Sequence, residues 1–156
     1  MKYVSTRGLS APVPSAVAIK RGLCEDGGLY MPESIPTLTE RDLTDLLSKD
    51  YPHRAAYILG KFLSDYTEEE LLCDTHAAYS SEQFPKGATT LHALRDMTLL
   101  ELFRGPSCAF KDMALQIMPR LFSRALKKTD EKRTALILVA TFDITVAFQG
   151  SLSRVT

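Results

Sequence analysis

Between Phe110 and Leu126 the residues Phe110, Met113, Ala114, Ile117, Met118, Leu121, Ala125 and Leu126 recur at helical spacing. Steps of three and four mark one helix face turned to a core, and they predict a helix from Asp112 to Lys128. Pro119 lies inside it, where the missing N–H kinks or shortens a helix. Two apolar runs of another kind flank this segment. "TLLELFRG", 98–105, reads as a short strand ended by a Gly-Pro turn. "TALILVAT", 134–141, reads as a fully buried strand that follows the charged turn "KKTDEKR". Strand, helix and strand at this length predict a βαβ unit with a parallel, right-handed crossover.

The pattern upstream is different. The first dozen residues are strand-like and then broken by proline, and "SAVAIKRGL" predicts a short helix from Ser15 to Gly22. "CEDGGLYMPESIP" is turn chemistry: Asp26-Gly27-Gly28 supplies positive φ, and Pro32 and Pro36 interrupt regular structure. Three helices follow. Thr39 caps the first, which runs to Lys49 with Leu43, Leu46 and Leu47 on one face. The second spans about Tyr51 to Ser64, with Pro52 in its first turn. The third opens on Thr67 and Glu70, a capping box, and carries Leu71, Leu72 and Ala78. "SSEQFPKGATTLHALRD", 80–96, reads as a loop-rich link.

The expected organisation is therefore a small α-rich domain over 1–80, a linker over 81–94 and the start of an α/β domain over 95–141. Residues 142–156 form a tail that fits neither part. A parallel sheet needs several strands and cover on both faces, which two strands and one helix do not supply. The chain reads as a small domain joined to the truncated beginning of a larger one.

Composition narrows the function classes. Lys plus Arg and Asp plus Glu number 19 each, so nothing points to nucleic acid or another polyanion. Cys24, Cys73 and Cys108 are odd in number and far apart, which suits neither a CxxC metal site nor a disulfide framework. His53, His76 and His92 are scattered along the chain and suggest no metal. The N-terminus lacks an apolar signal region, and no apolar run approaches the roughly 20 residues that span a bilayer. A cytoplasmic protein with no membrane partner is expected.

The most pointed segment is "GPSCAFKDMALQIM". Lys111 stands at the mouth of the predicted helix, where a cation opposes the macrodipole at about 0.3–1 kcal/mol. A buried lysine near positive dipole ends has a lowered pKa, as an amine nucleophile forming a Schiff base requires. A solvated lysine on the first turn is the ordinary alternative. Ser5, Thr6 and Arg7 suggest substrate binding, since Arg suits phosphate, although an arm tied by ordinary hydrogen bonds explains them as well.

"MKYVSTRG", "DGGLYMPESIP" and "LLELFRGPSCAFKDMALQ" together, in order and in spacing, resemble threonine synthase over Met1 to Thr141. The family segment GPT-x-AFKD is matched by "GPSCAFKD", with Ser107 in place of threonine. The resemblance implies a pyridoxal phosphate (PLP) enzyme of the tryptophan synthase β-like fold. It eliminates phosphate from O-phosphohomoserine and adds water to give threonine. It also implies that Lys111 binds the cofactor and shuttles protons, that Phe110 packs beside the cofactor, and that Asp112 sets the helix start.

In the family, the strand ending VAT leads into SGDTG and a helix, whose backbone N–H groups face anions. Here "FDITVAFQGSLSRVT" follows instead. Divergence or a frameshift would account for it. So would an inversion of the DNA. Codons for Thr156 back to Thr141, read on the opposite strand in the same phase, permit GDTGKAALEGYRDVEG, the family segment. On that reading the chain is a truncated, inactive form. The alternatives are a non-catalytic interaction module, self-associating through an exposed strand edge, or a non-functional product of a rearranged gene.

Overall fold

The computed structural model describes residues 1–132 and the backbone of residues 140–141 and 144–145. The predicted strand over 134–141 falls mostly outside the described residues, as does the tail over 142–156 apart from 144–145. The fold class is mixed α and β, as expected.

The chain opens with β1 (Tyr3–Ser5), which pairs antiparallel with β2 (Tyr30–Pro32) in the register Tyr3 to Pro32 and Ser5 to Tyr30. Between them lies α1 (Ser15–Arg21), ended by Gly22 at φ 74°. No side chain of its own caps α1. Instead Asp65, from far along the sequence, accepts the Ala16 N–H at 2.8 Å and the Ser15 hydroxyl. That carboxylate takes one orphan N–H at a helix start, where negative charge is favoured.

Three helices follow near their expected places: α2 (Glu40–Leu47), α3 (Tyr51–Phe62) and α4 (Glu68–Ala78). Thr39 with Asp42, and Thr67 with Glu70, form reciprocal capping boxes, and Asp50 caps α3 through the His53 N–H. Each box satisfies two donors that would otherwise be left unpaired.

The next segment departs from the sequence reading. Residues 80–96 are not all link. β3 (Thr90–Leu94) pairs antiparallel with β4 (Met97–Glu101), so "TLLELFRG" supplies half of a hairpin, while the second strand of the expected parallel unit lies mostly outside the described residues. The turn is Arg95-Asp96, with Arg95 at φ 54°. A two-residue hairpin turn with positive φ at its first position usually shows Gly there, and an arginine in its place hides the hairpin. The short strands β5 (Ala140–Thr141) and β6 (Ile144–Thr145) also pair antiparallel, so every strand pair among the described residues is antiparallel.

The long helix expected from Asp112 is two pieces, α5 (Asp112–Leu115) and α6 (Met118–Lys128). Pro119 cannot donate to the carbonyl four residues back, and the helix breaks before it. The apolar face of α6 is placed as the periodicity requires. Ile117, Leu121 and Ala125 join Ala16, Ala56, Leu63, Tyr66, Leu71 and Ala78 in one buried core. Tyr66 donates to the Leu121 carbonyl at 2.9 Å, and Tyr79 to the Met113 carbonyl at 2.8 Å. The segment bearing Lys111 is thus anchored directly to α4 and to the connection before it.

Candidate active site

Gly105 and Pro106 end the extended stretch after β4, and the chain turns through Ser107 to Phe110 into α5. Asp112 organises this turn. It is wholly buried, and it accepts the Ser107 N–H at 2.8 Å and the Ser107 hydroxyl at 2.7 Å. A buried carboxylate is tolerated because charge-assisted donors meet both of its oxygens. Gly105 must be glycine here: a Cβ would lie 2.4 Å from the Asp112 Cβ. Cys108 takes a positive φ of 56°, so the turn is tight on both sides.

Lys111 lies immediately before α5, and its carbonyl accepts from Ala114 and Leu115 at 3.0 and 2.9 Å. Its ammonium stands 4.7 Å from the centre of the Phe110 ring and has no carboxylate partner among the described residues. The sequence left Lys111 either as a buried amine or as a solvated lysine, in both cases at the start of a long helix. The structure shows it half-buried, at the start of a single helical turn that the break before Pro119 cuts short. Phe110 is 62% exposed. The turn therefore presents an unpaired primary amine and an open aromatic face side by side, above a fixed base.

Two buried polar groups near this turn in sequence lack partners among the described residues, Arg104 Nε and Gln116 Nε2. Arg104 nevertheless pairs with Glu101, which also meets His92 Nε2 at 3.2 Å. Nothing in the sequence signalled that trio, because strand pairing is what sets His92 beside β4.

Ser5, Thr6 and Arg7 serve the fold. Ser5 donates to Asp26 at 2.7 Å, Thr6 Oγ1 accepts the Leu29 N–H at 3.0 Å, and Arg7 donates to the Asp26 carbonyl at 2.9 Å. The ordinary reading of that arm holds. His53 and His76, scattered in sequence, are brought ring to ring.

Residues 2–79 match the family described as "Threonine synthase N terminus". This chain belongs to the threonine synthase family. A threonine synthase from Methylobacillus glycogenes is 35% identical over 150 residues, covering 90% of this chain and 31% of the relative. One from Schizosaccharomyces pombe is 33% identical over 147 residues, with 89% and 28% covered. The solved PLP-bound threonine synthase from Brucella melitensis superposes with a TM-score of 0.76 at 33% identity, over 83% of this chain and 28% of that one. The chain thus spans less than a third of the threonine synthases it matches. A match covering 90% of 156 residues cannot leave out a position as central as Lys111. The threonine synthase relationship therefore extends to the lysine-bearing turn. No helix among the described residues is long and apolar enough to cross a membrane.

Proposed function

We propose that this chain is the N-terminal part of a cytoplasmic threonine synthase, which converts O-phosphohomoserine and water into threonine and phosphate. PLP, when bound, supplies the electron sink for that elimination and hydration. The donor set of the Lys111 turn fits such a group. A primary amine with no ion-pair partner is what a carbonyl-bearing cofactor needs as its anchor, and the exposed Phe110 ring offers a planar neighbour.

Lys111 would hold the cofactor through Nζ, the same atom that would take up and give back protons. Phe110 keeps water from one side. Ser107 and Asp112 fix the turn so that the amine is aimed before anything binds. The observation that carries the reading is this unpaired lysine on a turn locked by a buried carboxylate, in a chain of the threonine synthase family.

The 156-residue chain alone is a truncated, inactive form on this reading. Lys111 is only half-buried, and the β3–β4 hairpin exposes Leu91, Leu94, Met97, Leu99 and Leu100, an apolar surface suited to being covered by the rest of the family fold. The same surface makes the isolated chain self-associate. Purified chain mixed with PLP and O-phosphohomoserine should release no phosphate above the protein-free rate, and should elute from size exclusion increasingly early as concentration rises. Sustained phosphate release dependent on Lys111 would overturn the assignment of inactivity.

A further inference from the structure

Asp50, His53 and His76 take no part in the reading above. Asp50 sits before the first turn of α3, where one oxygen accepts the His53 N–H at 2.9 Å and lies 2.6 Å from His53 Nδ1. His76 reaches the same place from the last turn of α4. The two rings meet edge to face, with centres 4.8 Å apart and planes at 89°. One ligating atom from each of the three residues lies within 4.8 Å of the others. The His76 ring has no hydrogen-bond partner among the described residues, and Asp50 and His76 are exposed while His53 is half-buried. The helices that carry them are joined by a short connection and share the core through Ala56, Leu71 and Ala78. His53 and His76 are therefore held on helices, and Asp50 is held at the N-cap of α3.

Two imidazoles and a carboxylate make a donor set of borderline hardness. Imidazole suits zinc, copper and nickel, whereas magnesium and calcium prefer oxygen alone. In a tetrahedral site with bonds of about 2.0–2.1 Å, ligand atoms stand about 3.3 Å apart. Asp50 and His53 must open slightly to reach that spacing, and His76 must close. Rotation about the exposed His76 side chain allows this without moving either helix.

We propose that Asp50, His53 and His76 form a binding site for a transition-metal dication of the Zn²⁺ class. An Asp50 carboxylate oxygen, His53 Nδ1 and one ring nitrogen of His76 are the ligands, and solvent completes four-coordination. With Nδ1 on the metal, the neutral His53 ring carries its proton on Nε2. The occupied site clasps the N-terminal turn of α3 to the C-terminal turn of α4 and raises the stability of that helix pair.

The test is Zn²⁺ titration of the full chain against a chromophoric chelator, with Co²⁺ absorbance reporting tetrahedral coordination. One metal per chain is expected. Asp50→Asn is a clean variant because Asn is as good an N-cap as Asp. His76→Gln alters an exposed side chain. Each should weaken Zn²⁺ at least about 10–100-fold, the loss seen when even an outer partner of a ligand is removed. Cys73→Ser and His92→Gln should leave affinity unchanged. Thermal unfolding of the parent should shift upward with Zn²⁺, and that of His76→Gln should not. Absence of stoichiometric Zn²⁺ binding, unchanged affinity in Asp50→Asn or His76→Gln, or loss in Cys73→Ser would each overturn the site.

Discussion

Asp112 holds Ser107 by both its backbone N–H and its hydroxyl, and this five-residue clasp sets the position of Lys111. Hydrogen bonds to a charged group contribute about 1.5–3 kcal/mol. Ser107→Ala should therefore destabilise the chain by about 2 kcal/mol in denaturant titration, while Ser107→Thr, which keeps the hydroxyl, should cost far less. Gly105→Ala attacks the clasp from the other side, because the added methyl overlaps the Asp112 Cβ. Overpacking of this kind costs about 1–3 kcal/mol.

Arg124 on α6 is clamped to α4. It donates twice to Asp74, whose side chain is only 8% exposed, and stands 3.7 Å from Glu70, which Lys128 also meets at 2.7 Å. Removing Arg124 leaves the buried Asp74 carboxylate without its charged partner; Arg124 itself is 26% exposed, so the cost falls below the roughly 3–5 kcal/mol of a fully buried pair. Arg124→Met should lower the denaturant midpoint steeply. The double variant Arg124→Met with Asp74→Leu should recover much of the loss, since burying neither charge removes the penalty.

Acid should weaken the N-terminal arm and the α2–α3 contact together. Burial raises the Asp26 carboxyl, but hydrogen bonds from Ser5, Gly28 and Leu9 outweigh it and bring it down to about 2. Asp42 is lowered to about 2 by the Tyr57 hydroxyl first, then by Thr39. Both folded values lie below the unfolded one, near 3.9. Their contribution is thus complete above about pH 4 and is lost as pH falls toward 2. Asp26→Asn and Asp42→Asn should flatten the stability profile between those limits, as read from thermal midpoints in a buffer series.

The sequence disclosed what depends on neighbours and concealed what depends on distance. Thr67 and Glu70 are three residues apart, so their box was visible in the letters, and so was the core face of Ile117, Leu121 and Ala125. The break before Pro119 follows from a missing N–H. The Asp65 cap on α1 spans 49 residues and has no local signature. The β3–β4 hairpin escaped notice because Arg95 occupies a left-handed turn position that usually belongs to Gly or Asn. At the Lys111 turn the motif was legible, but its exposure was not: burial depends on how much of the surrounding fold is present. His53 and His76 looked unrelated for the same reason as Asp65, because only the pairing of α3 with α4 joins them.

We propose Lys111 as the cofactor-bearing amine of a threonine synthase, and a labelling experiment decides it. Residues 1–132 of this chain would head the remaining two thirds of a threonine synthase relative, with circular dichroism confirming that the hybrid folds. The hybrid would then be loaded with PLP, reduced with borohydride and mapped by peptide mass spectrometry. The expected result is a phosphopyridoxyl label on Lys111 and loss of both label and threonine formation in Lys111→Ala. A label on another lysine, with threonine formation preserved in Lys111→Ala, would contradict the claim.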